Sequence, residues 1–185
     1  TSALFLNSPC NPTGWVASLE VLKDFLALAR RHGLWIIADE IYARFYYGEG
    51  SRAPSFYDIA EDDEQIIFVN SMSKNWAMTG WRVGWISAPP ELGQVFENLI
   101  QYSTSGVPSF SQWGAVAALT EGRAFLQEQV ARARRGRDCV LKGLQGLNRV
   151  KVLPPDGAFY LFFSIEGVTD TRNFALDLVR QPGLQ

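Results

Sequence analysis

Histidine occurs once in these 185 residues, at His32, and cysteine twice, at Cys10 and Cys139. One imidazole and two widely separated thiols cannot supply the ligand set of a zinc site, and no metal is expected. Two such cysteines fit free thiols in a reducing compartment better than a disulfide framework, so a cytoplasmic protein is expected. Charge is nearly balanced: the formal net charge is −2. That gives no electrostatic case for nucleic acid or for an anionic membrane. No apolar run approaches the roughly 18 residues that spanning a bilayer requires. A glycine-rich phosphate fingerprint after a strand is missing, which argues against a nucleotide-binding domain. There is no internal repeat and no low-complexity linker. An initiator Met and a charged leader are also absent, Thr1 runs straight into an apolar stretch, and Gln185 follows closely on a helical pattern. The chain therefore reads as a segment of a longer protein.

What is present is core-forming. Hydrophobic residues make up 47% of the chain and aromatic ones 13%, against 19% charged. At this length such a composition fills one domain and part of a second. Ala3–Asn7 reads as a short buried strand. Leu19, Leu22, Phe25, Leu26 and Ala29 recur at helical spacing between a capping Ser18 and a terminating Gly33. Leu34–Ala38 and Ile66–Asn70 are continuous apolar runs of the kind buried on both faces of a parallel sheet. Strand, helix, strand, connection, strand predicts a parallel α/β sheet with right-handed crossovers, and Val83–Ala88 offers one more strand. From Glu91 the pattern turns helical, over 91–103, 109–120 and a long Arg-rich stretch at 123–147. Val150–Leu153 and Ala158–Ser164, around Pro154-Pro155-Asp156-Gly157, predict a β-hairpin, and a last helix follows over 170–181. The change of pattern places a domain boundary in the long helix, giving units of 1–125 and 126–185.

In open α/β sheets ligands bind beyond the carboxyl ends of the strands. Three consecutive predicted strands end in polar groups, at Asn7–Gly14, Asp39–Tyr42 and Ser71–Lys74. Parallel pairing gathers an amide (Asn11), a carboxylate (Asp39), a phenol (Tyr42), hydroxyls (Ser71, Ser73) and an amine (Lys74), with the guanidinium of Arg82 nearby. Such a set suits a phosphorylated heterocycle bearing a carbonyl.

Four motifs carry a resemblance. Asn11-Pro12-Thr13-Gly14, Asp39-Glu40-Ile41-Tyr42, Ser71-Met72-Ser73-Lys74 and Met78-Thr79-Gly80-Trp81-Arg82-Val83-Gly84 resemble, in order and spacing, the motifs of class I/II aminotransferases. These are pyridoxal-phosphate (PLP) enzymes of fold type I, and the run through Arg82 is most similar to the aspartate-aminotransferase-like branch. The resemblance implies the fold: part of the large PLP-binding domain, a mostly parallel sheet with flanking helices, over 1–125, then the start of a smaller α+β domain. It also implies the roles. Lys74 would form the Schiff base with the PLP aldehyde, which requires an unprotonated amine. Asp39 would keep the pyridine nitrogen protonated and so make the ring an electron sink. Tyr42 and Asn11 would donate to the ring phenolate oxygen, while Ser71, Ser73 and Arg82 would hold the phosphate.

Taken singly, each residue has a plainer reading. Lysines are mostly solvated, an Asp after a strand can cap a helix, and Asn-Pro-Thr-Gly is ordinary turn chemistry. Tyr42 lies among Phe45, Tyr46 and Tyr47 and could be core, and Arg132, Arg134, Arg135 and Arg137 read as a solvated helix face. Coincidence of the whole set in register favours the functional reading. The resemblance then implies transfer of an amino group between an amino acid and a 2-oxo acid, in a homodimer. Within the same chemistry a PLP-dependent lyase or decarboxylase is the alternative; outside it, a non-catalytic sensor domain of a transcription regulator. The family's upstream phosphate loop and ring-stacking aromatic, and its downstream carboxylate-clamping Arg, have no counterpart in this sequence, so the segment alone is expected to be inactive. Between Asn98 and Gly122 there is no Lys or Arg, so that stretch offers no cation to a substrate's side-chain carboxylate.

Overall fold

The computed structural model describes residues 1–181. β1 (Ala3–Asn7), β2 (Trp35–Asp39) and β3 (Ile66–Ser71) pair in parallel, and β4 (Gly84–Ser87) pairs antiparallel with β3, in the order β1-β2-β3-β4. Between β1 and β2 runs α1 (Leu19–His32), started by the Ser18 hydroxyl on the Val21 amide and stopped by Gly33 at φ 60°. Its apolar stripe of Leu22, Leu26 and Ala29 packs with Leu6, Ile36, Ala38, Phe56, Ile66 and Phe68 into the main core. The expected strand over 83–88 exists at the sheet edge, and it runs opposite to β3, its one neighbour. The cause is local: α2 (Met72–Asn75) and the turn after it stay at the strand-end side, where the Met72 amide donates to Val83 carbonyl at 3.1 Å. A chain that never crosses the sheet face has to return antiparallel.

The helices follow as α3 (Gly93–Ser103), α4 (Ser109–Glu121) and α5 (Arg123–Gln145). Met72, Met78 and Ala115 form a second, smaller core where α4 meets the α2 region. An apolar groove of about 980 Å³ lies between β4, α3 and α4, with Trp85, Ile86, Ile100 and Leu119 on its walls. α5 runs unbroken through the expected 125/126 division. No helix among the described residues is long and apolar enough to cross a membrane.

Beyond α5 the expected hairpin is rearranged. β5 (Val150–Val152) pairs antiparallel with β6 (Phe163–Ile165), so the second arm begins later than Ala158. Residues 157–160 pack against the first half of the chain, with Gly157 bridging Tyr46 and the Ala158 amide donating to Phe45 carbonyl at 2.8 Å. A positive φ of 56° at Ala158 turns the backbone there. α6 (Thr171–Arg180) closes the described chain, capped by the Asp170 carboxylate on the Asn173 amide.

Candidate active site

The register places Asn7 opposite Asp39 and Asp39 opposite Val69, so the carboxyl ends of β1, β2 and β3 lie level. From this common edge three turns rise. In the first, the Asn7 amide donates to the Asp39 carbonyl at 3.2 Å, while its oxygen accepts the Asn11 amide at 2.7 Å. The turn closes with the Gly14 amide on Cys10 carbonyl at 2.8 Å, which leaves Asn11 at an exposed tip. In the second, Asp39 accepts from the Ile41 amide at 3.3 Å, and the chain reverses through Ala43 on Glu40 and Phe45 on Tyr42. Glu40 anchors this turn from beneath: it is buried and accepts the Ser55 hydroxyl at 2.6 Å, and Arg52 pairs with Asp58 beside it. In the third, Ser71 caps α2 by accepting the Ser73 amide at 3.0 Å, and its own hydroxyl donates to Val83 carbonyl at 3.3 Å.

Tyr42 is at the centre of the first cluster. Only 1% exposed, it meets the Tyr160 hydroxyl at 2.6 Å, and its ring is packed edge-on by Phe159 and Tyr160. Burial above all, then Tyr160, pushes this phenol well above the ordinary tyrosine range, while the Asn11 side chain pulls the other way. Burial likewise raises the Asp39 carboxyl, against the opposing Ile41 amide. A cation placed beside that carboxylate would offset the desolvation.

Lys74 forms the second centre. It is half-buried on α2, makes no ion pair among the described residues, and faces a cavity of about 530 Å³. Ser73, Ala77, Thr79, Phe45 and Phe159 share the wall, with Gln129, Arg132 and Ala133 of α5 opposite. Phe159 touches both centres, since it also packs on Tyr42 and Phe45. Next to the lysine, Asn75 Oδ1 and Trp76 Nε1 are buried with no hydrogen-bond partner.

Thus Asn11, Asp39 and Tyr42 come together, as do Ser71, Ser73 and Lys74, and Phe159 joins the two groups. Arg82 stands apart: at φ 55° its guanidinium donates to Thr79 carbonyl at 3.0 Å and faces solvent. A primary amine on a cavity wall, a buried phenol and a carboxylate at the strand ends are the donor set that PLP needs, and in that respect the residues fit it.

The family profile for aminotransferase class I and II matches residues 1–183. This chain belongs to the class I and II aminotransferases. The aspartate/prephenate aminotransferase of Thermus thermophilus is 37% identical over 183 residues, covering 97% of this chain and 45% of that protein. Among solved structures, an aspartate aminotransferase from Thermotoga maritima matches with a TM-score of 0.89 at 31% identity, over 98% of this chain and 46% of that one. An aromatic aminotransferase from Pyrococcus horikoshii gives 0.89 at 33%, over 97% and 48%. The chain spans about half the length of the curated relatives it matches.

The site region also includes residues whose sequence pattern predicts a solvated face or core. The arginines of α5 are not a uniformly solvated face: Arg132 lines the lysine cavity, and Arg137 lies over the Tyr47 ring at 4.4 Å and donates to Pro155 carbonyl at 3.2 Å. Phe45 is cavity wall as well as core. Helical periodicity could group these arginines but could not say which element they meet, because Tyr47 lies far away in sequence.

Proposed function

We propose that the whole protein is a PLP-dependent aminotransferase acting on an amino acid and a 2-oxo acid, with Lys74 as the residue that binds the cofactor covalently. One observation carries this most: the Lys74 amine faces a cavity whose Phe159 wall is shared with the Tyr42, Asn11 and Asp39 cluster. When bound, PLP supplies an electron sink for charge left at the substrate Cα. Lys74 would be the group that moves a proton at that carbon. Asp39 would hold a proton at the ring nitrogen, and Tyr42 and Asn11 would donate to the ring oxygen. Ser71, Ser73 and Arg82 would hold the phosphate, for which Arg82 would have to leave the Thr79 carbonyl and the Ser71 hydroxyl the Val83 carbonyl.

The two-unit division near residue 125, a homodimeric assembly and a cytoplasmic setting belong to the same reading. The reading is supported by family membership, by the change from sheet to helices along the chain, and by two free cysteines. The test is borohydride reduction of the protein after PLP loading, followed by peptide mapping. Wild type should retain the label on Lys74 and Lys74→Ala should retain none. Label on another lysine would remove Lys74 from this role. Product analysis then separates the activities: a new amino acid and a 2-oxo acid mark transfer, while ammonia or carbon dioxide would mark elimination or decarboxylation.

A further inference from the structure

Tyr160 presents a hydroxyl that packing does not explain. A Phe at this position would keep the same edge-on contact with Tyr42, at 5.6 Å between ring centroids, and the same contact with Phe159 at 4.9 Å. The oxygen instead meets the Tyr42 oxygen at 2.6 Å. Each phenol has one proton to give and lone pairs to accept with, so a single hydrogen bond runs between them. Tyr42 is enclosed by rings and 1% exposed, so its ring cannot swing aside and only the direction of its O–H is free. The groups around that hydroxyl are Tyr160, the Asn11 side chain and the Asp39 carboxylate.

The position of Tyr160 is set from outside the pair. The Asp156 and Gly157 amides both donate to Gly14 carbonyl at 2.9 Å, the Ala158 amide donates to Phe45 carbonyl, and the Tyr47 hydroxyl donates to Ala158 carbonyl at 2.6 Å. These bonds stitch residues 156–158 onto the turns that carry Asn11 and Tyr42. The second phenol is therefore delivered to the first by a segment 118 residues away in sequence.

We propose that Tyr160 is a positioning residue: its hydroxyl donates to Tyr42 and thereby aims the Tyr42 proton into the site, at the oxygen of whatever ring is bound there. The proposal rests on the PLP reading above. With an acceptor in the site Tyr42 must give its proton away, so the shared bond can only be held by the Tyr160 proton. Residues 157–160 then tie the later part of the chain to the strength of Tyr42 as a donor.

The test uses the whole protein loaded with PLP, in four forms: wild type, Tyr160→Phe, Tyr42→Phe and the double variant. The bound cofactor's absorption is followed across pH. A weakened Tyr42 donor favours the anionic ring oxygen less, so Tyr160→Phe should move the spectral midpoint upward by about half a pH unit, a typical single hydrogen bond. Tyr42→Phe should move it further, and adding Tyr160→Phe to Tyr42→Phe should add nothing. Borohydride-reducible label on Lys74 should persist in all four. An unmoved midpoint in Tyr160→Phe, an equal shift in both backgrounds, or loss of the label in Tyr160→Phe overturns the proposal while leaving the aminotransferase reading intact. Absence of reducible cofactor in the wild type overturns both.

Discussion

Tyr47→Phe isolates the stitching that holds residues 156–158 against the strand-end turns. The Tyr47 hydroxyl donates to the Ala158 carbonyl at 2.6 Å, and Ala158 is fully buried. Removing the hydroxyl leaves a buried carbonyl without that donor, which costs about 1–3 kcal/mol. The ring survives, so the Arg137 guanidinium at 4.4 Å keeps its aromatic partner and little is lost there. A loss near 1.4 kcal/mol is about tenfold in the local opening equilibrium. Native-state hydrogen exchange reads that opening directly. The reporting amides are Tyr47, which donates to Asp156 carbonyl at 2.9 Å, Gly157 on Gly14 and Ala158 on Phe45. Their protection should fall about tenfold, while the Ile36 amide between β2 and the Gln65 carbonyl should hold. A uniform fall, or none at 157 and 158, refutes the idea that this hydroxyl secures the segment.

Two further changes probe the support of the site. Gly14 sits at φ +71°, and an added Cβ would lie 2.2 Å from Pro155 Cβ; Gly14→Ala should therefore destabilise by about 2–4 kcal/mol through the left-handed backbone and the overlap together. A thermal midpoint within 1 °C of wild type would contradict that. Burial raises the Glu40 carboxyl, against the opposing Ser55 hydroxyl and Arg52. The folded state therefore holds this proton more tightly than the unfolded one, so Glu40 withdraws stability as pH rises from the ordinary glutamate range through its raised value. Compared with wild type, Glu40→Gln should gain relative stability as pH climbs from 4 to 7; a constant difference would mean that Glu40 is not held in this way.

Much of the architecture was legible because it is written in local signals. Ser18 and Gly33 bound α1 as capping chemistry dictates, and the apolar runs at 34–38 and 66–70 became β2 and β3. Their burial is one-sided: Ile36, Ala38, Ile66 and Phe68 enter the core while the alternate residues are half-buried, and β1, expected to be buried, leaves Phe5 exposed at the sheet edge. The order of the motifs likewise put Asn11, Asp39 and Tyr42 beyond neighbouring strand ends, since parallel pairing in register leaves no other outcome for them. What local signals leave open is settled by distant contacts. The direction of β4 follows from Met72 meeting Val83, and the hairpin after α5 forms with a later second arm because residues 156–158 bond to the turns at Gly14 and Phe45.

By itself, then, the amino-acid order determined the elements and the residue types at each strand end, because capping, periodicity and turn chemistry act over a few residues, whereas the order β1-β2-β3-β4 belongs to the folded sheet. Only tertiary structure decided that Phe159 bridges the lysine cavity and the tyrosine cluster, that Arg137 stacks on Tyr47, and that Tyr160 meets Tyr42. Those pairings join side chains that no local rule relates, and they form only when the packed chain brings the two surfaces together.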